Sequence, residues 1–99
     1  MELGGNIALV GFREMDSGEL IVVKKIVGNY AKKISERCEK FERLTLTKKD
    51  VHKQGDSQKY ELHAKVVDNG KIHAAEEVDS NFFIALDAVL KRLLDAVTK

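Results

Sequence analysis

The sequence predicts a two-layer α/β sandwich in the order β-α-β-β-β-α, a four-stranded mixed sheet with both helices on one face. Three observations predict it. A short apolar stretch, Asn6 to Phe12, precedes a long run of apolar residues at three-to-four-residue spacing. Alternating segments follow, Arg43 to His52 and Lys59 to Val67, the second leading through Asp68-Asn69-Gly70 into an Ile72-His73-Ala74 strand. A second helical stripe, opening at Asn81-Phe82-Phe83, completes the pattern. Periods of about 3.6 and 2 separate the two kinds of element.

Composition sets the bounds. With 99 residues, 43% hydrophobic and 33% charged, the chain suits one globular domain, 1–99, around a single core. No apolar run approaches the roughly 18 residues of a membrane span, and Met1-Glu2-Leu3-Gly4-Gly5 does not read as a signal peptide. Cys38 is the sole cysteine, so no intramolecular disulfide forms and a cytoplasmic setting is expected. Its place on the helical stripe reads as a small core hydrophobe.

The first strand, Asn6 to Phe12, is apolar and bounded by Gly4-Gly5. Ser17 offers an N-cap for the helix that follows, and Glu19 in its first turn complements the helix dipole. That helix is expected to run to about Phe41. Leu20, Val23, Val27, Tyr30, Ala31, Ile34, Cys38 and Phe41 share one stripe, while Lys25, Asn29, Lys32, Lys33, Glu36 and Lys40 take the opposite arc. Val22 is a misfit on the polar side. Gly28 inside the helix costs about 0.5–1 kcal/mol relative to alanine.

In the next strand, Arg43 to His52, Leu44 and Leu46 point inward and Thr45 and Thr47 outward. Lys53 to Gln58 reads as a turn. Asp68-Asn69-Gly70 is a hairpin signal, and the expected loop has three residues, with Gly70 left-handed. It pairs Val66 with Ile72 and Ala64 with Ala74, giving the hairpin one apolar face with Glu76 as its discordant member. The last helix starts near Ser80 or Asn81 and buries Phe82, Phe83, Leu86, Val89, Leu90, Leu93, Leu94 and Val97. The strand-helix-strand crossover makes the first two strands parallel, and the hairpins continue the sheet antiparallel.

The net charge of +1 conceals an uneven distribution. Between Lys24 and Lys49, nine bases stand against three acids, whereas from Val66 onward four bases face six acids. Lys25, Lys32, Lys33 and Lys40, flanked by Lys24 and Arg37, project from one side of the first helix. A cationic row of that length suits phosphates along a backbone, positioning the protein without reading sequence.

Other chemistry is poorly provided for. In the expected register His63 and His73 lie on the solvent face near Glu61 and Glu77, diagonal to one another, and read as ordinary strand residues with no metal and no cofactor. His52, beside Lys48, Lys49 and Lys53, fits a polar loop that meets phosphates. No glycine-rich loop feeds a helix, no Cys–His pair has a workable spacing, and Glu76-Glu77 points to opposite faces. Neither an enzyme nor a small-molecule substrate is expected.

From the Asn69-Gly70 turn through Ile72-His73-Ala74 to Asn81, Phe83, Ala85, Leu86 and Asp87, the chain resembles the ribosome hibernation-promoting factor and ribosome-associated inhibitor family. The family tends to show Asp, Tyr, Ala, Ile and Asp at the last five of these positions, and Arg92-Leu93 falls where a Lys-Leu pair is common. The resemblance implies the same β-α-β-β-β-α fold and binding to small-subunit ribosomal RNA in the channel used by tRNA and mRNA, silencing idle ribosomes. It also implies RNA contacts from both helices, by Lys24, Lys25, Lys32, Lys33 and Lys40 on the first and Lys91 and Arg92 on the second. Asp95 departs from the pattern where a basic residue is frequent, and the expected form is the short one. Two other readings compete: a double-stranded-RNA-type module, and a non-nucleic-acid protein that dimerises through its open sheet face or Ile84.

Overall fold

The structure, a computed structural model, describes residues 1–49, 52–55 and 57–97, without the side chains of 52–54. The elements are β1 (Ile7–Val10), α1 (Ser17–Arg37), β2 (Phe41–Lys48), β3 (His52–Gln54), β4 (Ser57–Asp68), β5 (Lys71–Asp79) and α2 (Phe82–Ala96). β1 runs parallel to β2, and β4 pairs antiparallel with both β2 and β5. Four long strands therefore form the mixed sheet β1-β2-β4-β5, with both helices on one face. The three-residue β3 pairs with the first residues of β4, so most of the predicted turn at Lys53–Gln58 is a small hairpin. Asp56 of that turn lies outside the described residues, as do the side chains of His52 and Lys53 and hence their predicted role with phosphates.

β1 stops where Gly11 takes a φ of 85°. A Cβ there would meet the Lys48 carbonyl oxygen at 2.4 Å, so only glycine lets the two backbones approach. Phe12, just beyond, turns into the core.

The helix cap is Asp16, one residue before the expected Ser17. Its carboxylate accepts the N–H groups of Gly18 and Glu19 at 3.1 and 3.3 Å, satisfying two donors that the helix itself leaves open. Val23, Val27, Ala31 and Ile34 form the buried stripe. The helix ends at Arg37, one turn short of the predicted Phe41, because Cys38 turns extended and the chain is captured elsewhere. Asp68 Oδ1 accepts the Lys40 N–H at 2.8 Å, the Lys40 carbonyl accepts the Asn69 N–H at 2.9 Å, and Glu42 Oε2 accepts the Gly70 N–H at 2.7 Å. Three hydrogen bonds thus clasp the α1–β2 connection to the β4–β5 turn. Lys40 consequently sits off the helix, and Phe41 opens β2. Cys38 is a half-buried cap rather than a core residue, its thiol pKa pushed up by burial and then by Asp68.

Asp68 is the only buried charged residue among those described. Replacing it by alanine strands the Lys40 N–H, and the expected loss is about 1–3 kcal/mol. Urea unfolding of Asp68→Ala checks this; an unchanged midpoint would show that water substitutes for the clasp.

β5 pairs in a register other than the one hydrophobicity predicts. Asn69 and Gly70 both adopt positive φ, 51° and 82°, which makes a two-residue type I′ turn. Val66 therefore faces His73, and Ala64 faces Ala75, not the Val66–Ile72 pairing expected from hydrophobicity. The I′ turn matches the twist of the strands, whereas burial constrains β5 weakly because it is a sheet edge. Ile72 and Val78 accordingly face outward, 64% and 48% exposed. His73, Ala75 and Glu77 turn towards the helix layer, so His63 and His73 lie on opposite faces rather than sharing one.

Between the layers, Leu44, Leu46, Leu62 and Val66 of the sheet meet Val23, Val27 and Ile34 of α1 and Leu86, Val89, Leu90 and Leu93 of α2. Of the two predicted caps for α2, Asn81 is the one used, its side chain accepting the Ile84 N–H at 3.1 Å. No described helix is long and apolar enough to cross a membrane.

Candidate nucleic-acid interface

Burying one stripe of α1 against the sheet forces the opposite arc into solvent. Lys24, Lys25, Lys32, Lys33 and Arg37 are all exposed there. The helix carries five bases against two acids, Glu19 and Glu36. Among the described residues, Lys24, Lys25 and Lys32 have no ion-pair partner. The Lys33 ammonium lies 5.5 Å from the centre of the Tyr30 ring, a cation–π contact that leaves it at the surface. Arg37, in the last turn, is not a free cation.

From Lys25 to Lys33 the helix rises about 12 Å, the axial length of three to four phosphates of one strand. The same arc carries Ile21 and Val22, 68% and 46% exposed, at its first turns. Val22 is the misfit that the periodicity shows, and Ile21 stands beside it.

The second helix is a weaker contributor than the resemblance implies. Its two bases are balanced by two acids. Lys91 is exposed, but Asp87 and Asp95 lie four residues to either side, one helical turn away on the same face. Arg92 Nη2 reaches Glu77 Oε2 on β5 at 2.6 Å, a pairing made possible by the I′ register that turns Glu77 towards α2. Lys40 remains exposed but stands in the connection after α1, its backbone fixed by Asp68 and Asn69. The candidate residues therefore divide: Lys24, Lys25, Lys32 and Lys33 are exposed on α1, whereas Lys40, Lys91 and Arg92 stand off that helix.

Tyr30 joins the two helices. Its hydroxyl donates to Asp87 Oδ1 at 2.7 Å, and burial, the Asp87 contact and the charge of Asp95 push its pKa up to about 12. Folding thus favours the neutral phenol. That contribution is present below pH 10, the ordinary value, and is lost as pH rises towards 12. The urea midpoint should fall more steeply across this window in the wild type than in Tyr30→Phe; parallel curves would show that the contact contributes nothing. The sequence placed Tyr30 on the core stripe, and nothing local signalled its partner on the other helix.

The fold and this surface together define a small α/β sandwich with one cationic helix and an open sheet face. No protein-family model matches the chain, and no curated protein matches it by sequence. Solved structures do share the fold. The N-terminal domain of Thermus thermophilus Protein Y is similar with a TM-score of 0.56 at 15% identity, over 98% of this chain and 96% of that one. A ribosomal subunit interface protein from Coxiella burnetii is similar with a TM-score of 0.54 at 11% identity, over 93% and 90% of the two chains. The resemblance read in Asn69 to Leu93 thus holds for the architecture of the whole chain.

Proposed function

We propose that this protein is a ribosome-associated factor that docks α1 on small-subunit ribosomal RNA and silences or protects idle ribosomes. The observation that carries the reading is the row of exposed lysines, Lys24, Lys25, Lys32 and Lys33, held outward by the buried stripe beneath. Ammonium groups without acidic partners keep their full charge for a polyanion, and each phosphate contact releases counterions. Support also comes from the shared fold, since one of the similar structures is described as a ribosomal subunit interface protein. The free, surface-exposed amines favour backbone contact, and the open sheet face lacks the aromatic platforms that single-strand readers use for stacking.

The double-stranded-RNA reading fits less well. Such modules place lysines at the start of their second helix, where this chain has the buried Phe82, the half-buried Phe83 and the exposed Ile84. Sedimentation of the purified protein with small ribosomal subunits, set against filter binding to free duplex RNA, tests the proposal. Co-sedimentation that weakens steeply with salt is expected. Clear preference for the free duplex, or no association with subunits at low salt, would overturn it.

A further inference from the structure

We propose that Glu61, His63 and Glu76 form a binding site for a divalent transition-metal ion of the zinc class on the open sheet face. This lies on the layer opposite α1 and is independent of the RNA-facing role. Glu61 and His63, two residues apart on β4, project from the same face. The I′ turn then sets Glu76 of β5 directly across from His63. With the three-residue loop expected from hydrophobicity, His63 would have faced Ala75 and the cluster would not exist. The two-residue turn therefore creates a donor set that periodicity alone did not show.

One ligand atom from each of the three side chains lies within 4.8 Å of the others. His63 Nε2 is 2.6 Å from Glu61 Oε2, while its other ring nitrogen, Nδ1, is 3.4 Å from Glu76 Oε2, so an ion takes one of the two nitrogens and draws the farther carboxylate round to it. Metal–ligand bonds of about 2.0–2.2 Å in a tetrahedral shell place ligand atoms roughly 3.3–3.6 Å apart. The three donor atoms, at most 4.8 Å apart, stand within about 1.5 Å of that spacing. Glu76, whose side chain is 72% exposed, is free to make that adjustment, while Glu61 and His63 are more enclosed, at 26% and 34%.

The chemistry of the set selects the ion. One imidazole nitrogen and two carboxylate oxygens suit zinc and its borderline neighbours, whereas calcium takes six to eight oxygens. Two carboxylates beside a neutral imidazole offset the charge of one divalent cation. Lys49, Lys65 and Arg92 line the adjoining groove, Arg92 already engaged by Glu77, so cations border the donor set. His63 and Glu76 adjoin a groove of about 570 Å³, whose lining includes Thr45, Thr47 and Ala74 and leaves room for water or a partner's donor in the remaining coordination position.

Titration with Zn²⁺ by calorimetry, and with Co²⁺ by visible absorption, tests the site in the full-length protein. One ion per chain is expected, with Co²⁺ bands of a four- or five-coordinate centre. His63→Ala should abolish the bands. Glu76→Gln, a change at an exposed position that leaves the fold intact, should weaken binding at least about tenfold. His73→Ala, on the helix-covered face, should bind as the wild type does. Absence of Zn²⁺ uptake by the wild type, or equal uptake by wild type and Glu76→Gln, would overturn the assignment; if His63→Ala does not fold, Glu76→Gln decides.

Discussion

Replacing Phe82 by alanine is expected to remove about 3–5 kcal/mol of stability, enough to unfold a large fraction of a small domain at physiological temperature. Phe82 is the hub of an edge-to-face aromatic cluster. Its ring centre lies 6.3 Å from Phe12, 5.7 Å from Tyr60 and 5.1 Å from Phe83, with interplanar angles of 71°, 78° and 80°. Each neighbour comes from a different place: the segment after β1, strand β4 and the first turn of α2. One truncation therefore opens a cavity where three parts of the chain meet, and it adds the loss of aromatic pairs worth about 0.5–1.5 kcal/mol each to the loss of burial. Urea unfolding followed by far-ultraviolet dichroism measures the effect. The matched control is Ile84→Ala, at a position 56% exposed, for which a change within about 0.5 kcal/mol is expected. A Phe82→Ala variant as stable as that control would mean that the cluster repacks without a void.

The second large effect belongs to the proposed interface. Reversing Lys25, Lys32 and Lys33 together to glutamate should abolish co-sedimentation with small ribosomal subunits while leaving the unfolding midpoint nearly unchanged. The folding side follows from exposure: none of the three ammonium groups sits in an ion pair among the described residues, and only Lys33 has a ring contact. The binding side follows from counterion release. With a salt slope of about 0.7–0.9 per phosphate contact, three contacts contribute about 100- to 500-fold in affinity at 0.1 M salt. Neutral substitution to glutamine should remove that amount and flatten the slope of log K against log salt by about two to three. Reversal adds repulsion on top. A triple reversal that still sediments with subunits would sink the α1 docking mechanism, whatever becomes of the ribosome assignment.

Much of this architecture was legible in the chain, because hydrophobic periodicity is a local property. The stripe of Val23, Val27, Ala31 and Ile34, the inward Leu44 and Leu46, and the α2 stripe through Leu93 each needed only neighbours a few residues away. The exposure of Lys24, Lys25, Lys32 and Lys33 followed from the same pattern. The register of β5 departs from the hydrophobic pattern for a physical reason. Sorting apolar from polar side chains assumes that burial dictates register, but β5 is an edge strand, and the Asn69-Gly70 backbone preference decided instead. The register signal lies in that dipeptide, not in the hydrophobic alternation.

The end of α1 departs from the pattern for a different reason. Cys38 and Phe41 continue the helical phase, and nothing nearby breaks it; Asp68, far along the chain, draws the Lys40 N–H away. The same holds for charge. Lys91 and Arg92 looked as available as the lysines of α1, until Glu77 was turned towards Arg92 by the strand register. The amino-acid sequence by itself determined the order of the two helices and four main strands, the apolar side of α1, β2 and α2, and that α1 presents lysines to solvent. Only the tertiary structure decided where α1 stops and which cations stay unpaired. The physical reason is range: periodicity and propensity act over a turn or a pleat, while countercharges and buried acceptors are brought together only when distant segments pack.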